Sequence, residues 1–124
     1  MRELLLDAAR RAIRYLDDLD GRPVFPPDEA RARLAGLGGE LPQGPSSDAE
    51  VLALLDEVAS PATVASAGRR YFGFVTGGSL PATVAASWLA AAWDQNGFSA
   101  TTSPAVAALE QVALRWLVEL LGLP

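Results

Sequence analysis

The run Pro81–Trp93, PATVAASWLAAAW, carries no charge and is apolar on nearly every side when wound as a helix. A helix of that kind is buried, either in a core or at a subunit interface. Pro81 suits its first position, where a missing N–H costs nothing and the fixed φ is already helical. At about 20 residues per membrane-crossing helix, the run is too short to span a bilayer. The helix therefore needs a cover, from the rest of the chain or from a second subunit. With 124 residues it forms one domain at most, long enough for a core but short for a complete enzyme.

Other segments also read as helices. Leu5, Ala9, Ala12, Leu16 and Leu19 recur at helical spacing, so residues 3–19 are expected to form an amphipathic helix ended by Asp20 and Gly21. RPVFPP (22–27) places three prolines in six residues and excludes helix or central strand. A short helix is expected over 28–37, with its acidic start favoured by the helix dipole. Ser47 and Glu50 have the spacing of a capping box opening a third helix to about Ala59. Ser60 and Pro61 read as a further helix start. The last helix begins after Ser103 and carries the stripe Leu109, Val112, Ala113, Trp116, Leu117 and Leu120, with Gly122 as its cap. Tyr71–Val75 reads as one very short strand at most. The expected fold class is all-α.

Composition narrows the chemistry. All ten basic residues are Arg; there is no Lys, His or Cys. A serine triad is thus excluded within this chain, as are a disulfide framework and thiolate metal sites, and transition-metal binding is not expected. The net charge of −5 argues against nucleic acid and anionic membrane surfaces as partners. MRELLLDAARR breaks its Leu run with Asp7 and two Arg, so no signal peptide is read and a cytoplasmic location is expected.

One stretch is unusual for a plain bundle: RRYFGFVTGGSLP (69–81) sets Tyr71, Phe72 and Phe74 beside Gly77 and Gly78. The glycines let the backbone turn sharply or approach a ligand, and the aromatics can wall a small-molecule pocket. Taken singly, the glycine pair reads as an ordinary turn, since it lacks the spacing of either Gly-rich nucleotide motif. The aromatics alone read as core. Asp94, Gln95 and Asn96 read equally as a solvated capping loop or a polar cluster. Asp17, Asp18 and Asp20 read as a solvated acidic face rather than a calcium loop.

Read in order, RPVFP and then RYFGFVTGGSLPATVAASWLAAAWDQNGFSATTSPAVAALEQVALRWLVELLGLP closely resemble the N-terminal region of the group II pyridoxal-phosphate-dependent decarboxylases. These are relatives of the aromatic-L-amino-acid and glutamate decarboxylases. The resemblance covers almost the whole chain and is strongest over 70–124. It implies fold type I homodimers in which residues 1–60 supply arm helices packed on the partner. Residues 61–124 would supply a substrate-wall loop and two buried helices. It further implies that Phe74, Val75 and Thr76 line the substrate pocket, and that Asn96 and Phe98 reach the partner's cofactor site. The cofactor is pyridoxal phosphate, and the lysine, histidine, aspartate and phosphate loop that hold it lie downstream in the family, in a C-terminal domain missing here. No covalently bound cofactor and no catalytic residue are expected in this chain. Arg69 stands where many members have Pro, no His precedes the aromatics, and Asn96 replaces an apolar residue of the aromatic-substrate branch, which implies a more polar pocket. The rival expectation is a stand-alone helical dimerisation module without catalysis.

Overall fold

Helical spacing becomes five α-helices in the computed structural model, which describes residues 1–124. They are α1 (Arg2–Asp17), α2 (Asp28–Ala32), α3 (Asp48–Leu54), α4 (Pro81–Trp93) and α5 (Pro104–Leu121), with no strand. The chain divides into two units, Met1–Gly78 and Ser79–Pro124.

In the first unit, α1 buries no residue, and its recorded side-chain ties to later segments are polar or aromatic-stacked. Arg11 donates to Asp7 at 2.8 Å and to Asp56 at 2.7 Å, and Arg14 donates to the same Asp56 oxygen at 2.5 Å. Tyr15 shares a 2.9 Å hydrogen bond with Thr63, and the Arg22 guanidinium lies 4.5 Å over the Tyr15 ring. The proline-rich stretch is irregular, as its prolines require, and is pinned where the Ala65 N–H donates to the Val24 carbonyl at 3.0 Å. Ala30 and Ala65 are the buried hydrophobic residues beside it.

The Ser47 capping box is present in both directions. The Glu50 N–H donates to the Ser47 hydroxyl at 3.2 Å, and the Ser47 N–H donates to the Glu50 carboxylate at 3.1 Å. Beyond Leu54 the helix widens into a π turn (Leu55–Ala59) and then tightens into a 3-10 turn (Ser60–Ala62). The new helix expected at Ser60 does not form. The Ser60 side chain makes no cap bond, and its carbonyl is taken by the Thr63 N–H, the Thr63 hydroxyl and Arg22. Thr63 then turns extended and ends the run.

Two carboxylates here are held below their usual range: Asp7 by the Arg11 guanidinium, and Glu50 by the Ser47 hydroxyl and amide. A lowered folded value stabilises the folded state above the ordinary carboxylate range, and that stability is lost as pH falls through the folded value. Helix content is therefore expected to hold down to about pH 5 and to fall below about pH 4. Circular dichroism during acid titration measures this; a signal unchanged to pH 2 would show that these contacts do not hold α1 and α3.

In the second unit, the termini are well made. Asp94 ends α4 in the left-handed region (φ 47). Gly122 (φ 61) ends α5 with paired bonds from the Gly122 N–H to the Glu119 carbonyl and from the Leu123 N–H to the Val118 carbonyl, the two-bond left-handed stop that glycine permits. Neither α4 nor α5 buries a residue. Trp88, Leu89 and Trp93 on α4 are each about half exposed, and Leu120 on α5 is 81% exposed. The burial expected for these two helices is not supplied by this chain.

The total surface measures that deficit. The 13.0 kDa chain exposes 10,031 Å². Two separate compact bodies of the units' masses would expose roughly 7,600 Å² together. The chain thus exposes about 2,400 Å² more than two such bodies would. No helix is long and apolar enough to cross a membrane.

Candidate functional site

Phe74, Val75 and Thr76 belong to the first unit, Asn96 and Phe98 to the second. The first group sits on a braced loop. Arg70 donates to the carbonyls of Asp20 (2.8 Å) and Arg22, and Arg69 pairs with Asp20 at 3.3 Å. Tyr71 is tied by its N–H to the Gly68 carbonyl at 3.1 Å. A Cβ at Gly73 would stand 2.9 Å from the Tyr71 hydroxyl oxygen, so a side chain there would displace the Tyr71 ring.

The strand considered for Tyr71–Val75 is absent. The chain reverses there: the Thr76 N–H and the Thr76 hydroxyl both donate to the Gly73 carbonyl at 3.2 Å. Phe74 (φ 52) and Val75 (φ 56) occupy the left-handed region, the φ pattern of a type I′ turn. That conformation costs roughly 1–2 kcal/mol per L-residue, and a β-branched residue there is an outlier. The turn capacity read into Gly77 and Gly78 is not used, since neither has positive φ. Phe74 is 94% exposed and Val75 fully so.

The second group sits on a loop that bonds to itself. The Asn96 side-chain oxygen accepts the Phe98 N–H at 3.1 Å. The Asn96 carbonyl accepts the hydroxyls of Thr102 (3.2 Å) and Ser103. The Ser103 N–H reaches the Ser99 carbonyl at 2.9 Å. Ser103 is fully buried; sequence reading made it a helix start, but its hydroxyl secures Asn96 and does not cap α5. This loop positions the Asn96 backbone and presents Phe98, 88% exposed, to solvent. The polar-cluster and capping readings of this loop are thus both partly met: its polar groups bond mainly among themselves.

Ser103→Ala is expected to destabilise the second unit by about 1 kcal/mol, the usual net worth of a hydrogen bond. All three tryptophans lie in that unit, so urea unfolding followed by Trp fluorescence isolates the effect; an unchanged midpoint would contradict it.

Two open clefts mark the surface, one lined by Arg22, Pro27, Ala30, Arg33 and neighbours, the other by Trp93, Gln95 and Ala105. None of the five sequence-predicted residues lines either cleft. No group of three His, Cys, Asp or Glu side chains converges to hold a metal ion.

The pyridoxal-dependent decarboxylase conserved domain matches residues 34–124. The chain belongs to this decarboxylase family. Among curated relatives it is 33% identical to aromatic-L-amino-acid decarboxylase of Rattus norvegicus and 32% identical to that of Mus musculus, each over 111 residues. Those alignments cover 89% of this chain but 23% of the relatives. The chain thus spans under a quarter of the length of the relatives it matches. No solved structure matches it. The residues present do not fit covalent attachment of the family's cofactor, because no lysine is among them.

Proposed function

We propose that this chain is the N-terminal dimerisation and substrate-pocket segment of a cytoplasmic pyridoxal-phosphate-dependent amino-acid decarboxylase, inactive by itself. When bound, the cofactor supplies the electron sink for release of the substrate carboxylate as CO2. A lysine-bearing domain outside this chain would carry it. The residues here bind and orient. Phe74 and Val75 offer apolar contact and Thr76 a hydroxyl to one side of a substrate. Asn96 and Phe98, from the second chain of a homodimer, close the other side.

The observation that carries this reading is the uncovered surface on a chain matched to the decarboxylase domain. About 2,400 Å² per chain lies beyond what compact units would expose, and the half-exposed Trp88, Leu89 and Trp93 of α4 are part of it. A soluble monomer rarely exposes apolar patches beyond several hundred Å², and a two-fold dimer is the commonest closed assembly. Sedimentation equilibrium at micromolar concentration tests the reading. A dimer mass is expected; a clean monomer mass would remove the dimer and the roles given to Asn96 and Phe98.

A further inference from the structure

The chain holds a single asparagine, Asn96, and a glycine follows it. In such a pair the backbone nitrogen of the glycine can attack the asparagine side chain, because no Cβ stands in its path. The loop around Asn96 is arranged as that reaction requires. The Asn96 side-chain oxygen accepts the Phe98 N–H at 3.1 Å, the bond to the backbone two residues on that asparagine favours in turns. The Asn96 main-chain carbonyl accepts the hydroxyls of Thr102 and of the fully buried Ser103. The two nitrogens that must react are unengaged: neither the Gly97 N–H nor the Asn96 side-chain nitrogen has a hydrogen-bond partner within the chain. Asn96 and Gly97 are both exposed to water. Asp20–Gly21 is the opposite case. There the Gly21 N–H donates to the Asp18 carbonyl at 3.0 Å, and Arg69 pairs with the Asp20 carboxylate at 3.3 Å.

We propose that Asn96–Gly97 is a self-modification site at which the folded loop promotes loss of the side-chain amide. Hydroxide removes the Gly97 N–H proton. The charge left behind spreads onto the Asn96 main-chain oxygen, where the Thr102 and Ser103 hydroxyls already donate. The nitrogen attacks Asn96 Cγ, and the charge passes to the side-chain oxygen, where the Phe98 N–H donates. Donors fixed where charge develops lower such a barrier. The Cγ–Nδ2 bond then breaks, and ammonia leaves with a proton taken back from water, which restores the hydroxide. A five-membered succinimide remains. Water opens it at Cγ to give aspartate, or at the main-chain carbon to give isoaspartate; nothing is oxidised or reduced. Either product adds one negative charge, and isoaspartate also lengthens the main chain by one methylene group. An uncharged loop residue thus becomes an anion as the chain ages. The reaction needs this loop and water alone and does not rest on the function proposed above; where that function holds, the new charge enters the substrate pocket.

Incubation of the full 124-residue chain at neutral pH tests this, beside a free peptide of the sequence Asp94–Phe98 in the same buffer. Chymotryptic cleavage after Trp93 and Phe98 releases the same five residues from the chain, and mass spectrometry reads the exchange of ammonia for water. The folded chain should react at least about five-fold faster than the peptide, the rate equivalent of one hydrogen bond of ordinary net worth. Ser103→Ala should slow the folded chain about five-fold; a hydroxyl that merely stiffened the loop would leave the rate unchanged or raise it when lost. If the folded chain reacts no faster than the peptide, or Ser103→Ala reacts as fast as the wild type, the loop does not promote the reaction and the proposal is wrong. The peptide comparison involves no substitution, so it decides the matter even if Ser103→Ala unfolds the second unit.

Discussion

Purified chain mixed with pyridoxal phosphate and a panel of L-amino acids is expected to release no CO2 above the free-cofactor background. The family's chemistry needs an amine to hold the cofactor and a protein frame to position the bond that breaks. This sequence has no lysine and no histidine. Its one amine is the N-terminus of Met1, a residue 90% exposed, which offers the cofactor nothing that free amino acid in solution does not. The side chains expected to touch substrate are themselves exposed, and an open surface neither excludes water nor fixes the carboxylate. Radiolabelled CO2 release measures the outcome. Saturable turnover above background would overturn the assignment of all cofactor chemistry to another domain.

The second large effect concerns helix content. For the dimer proposed above, dilution below its dissociation constant is expected to remove up to about half of the α-helical circular-dichroism signal at 222 nm. Most helical stability in proteins comes from packing of an apolar face and not from intrinsic propensity. The helices α4 and α5 hold 13 and 18 residues, against 16, 5 and 7 in α1, α2 and α3. Neither of the two buries a residue within the chain. The first unit keeps the Arg11–Asp56 and Tyr15–Thr63 ties and the Ser47 capping box and should retain its share. Because the tryptophans all lie in the second unit, a red shift of their emission should accompany the loss. Ellipticity independent of concentration from nanomolar to tens of micromolar, in a chain that sedimentation shows to dissociate, would contradict it.

Local chemistry was legible where a few neighbouring residues decide the outcome. Pro81 and the uncharged run behind it start and carry α4 over the expected residues, since φ at proline and helix spacing are local properties. Ser47 with Glu50, and Gly122 after the last apolar turn, act as read, because capping bonds span only a few positions. Ser60 and Pro61 misled for the complementary reason. The same cap signature stands there, but Arg22, some forty residues earlier, takes the Ser60 carbonyl and Thr63 ends the turn.

The residues of the candidate site were found through ordered motifs, not through their individual chemistry. Composition alone excluded the lysine and histidine chemistry, and spacing alone made the chain helical and marked α4 as a helix in need of cover. Tertiary structure decided what those patterns could not contain. It set the positive φ on Phe74 and Val75 and not on the glycines after them, because the bonds that close the turn run from Thr76 back to the Gly73 carbonyl. It turned the Ser103 hydroxyl from a cap into the support of Asn96, because the loop folds back on itself. It also left α4 and α5 uncovered, since burial depends on which surfaces meet, and 124 residues do not bring enough surface together.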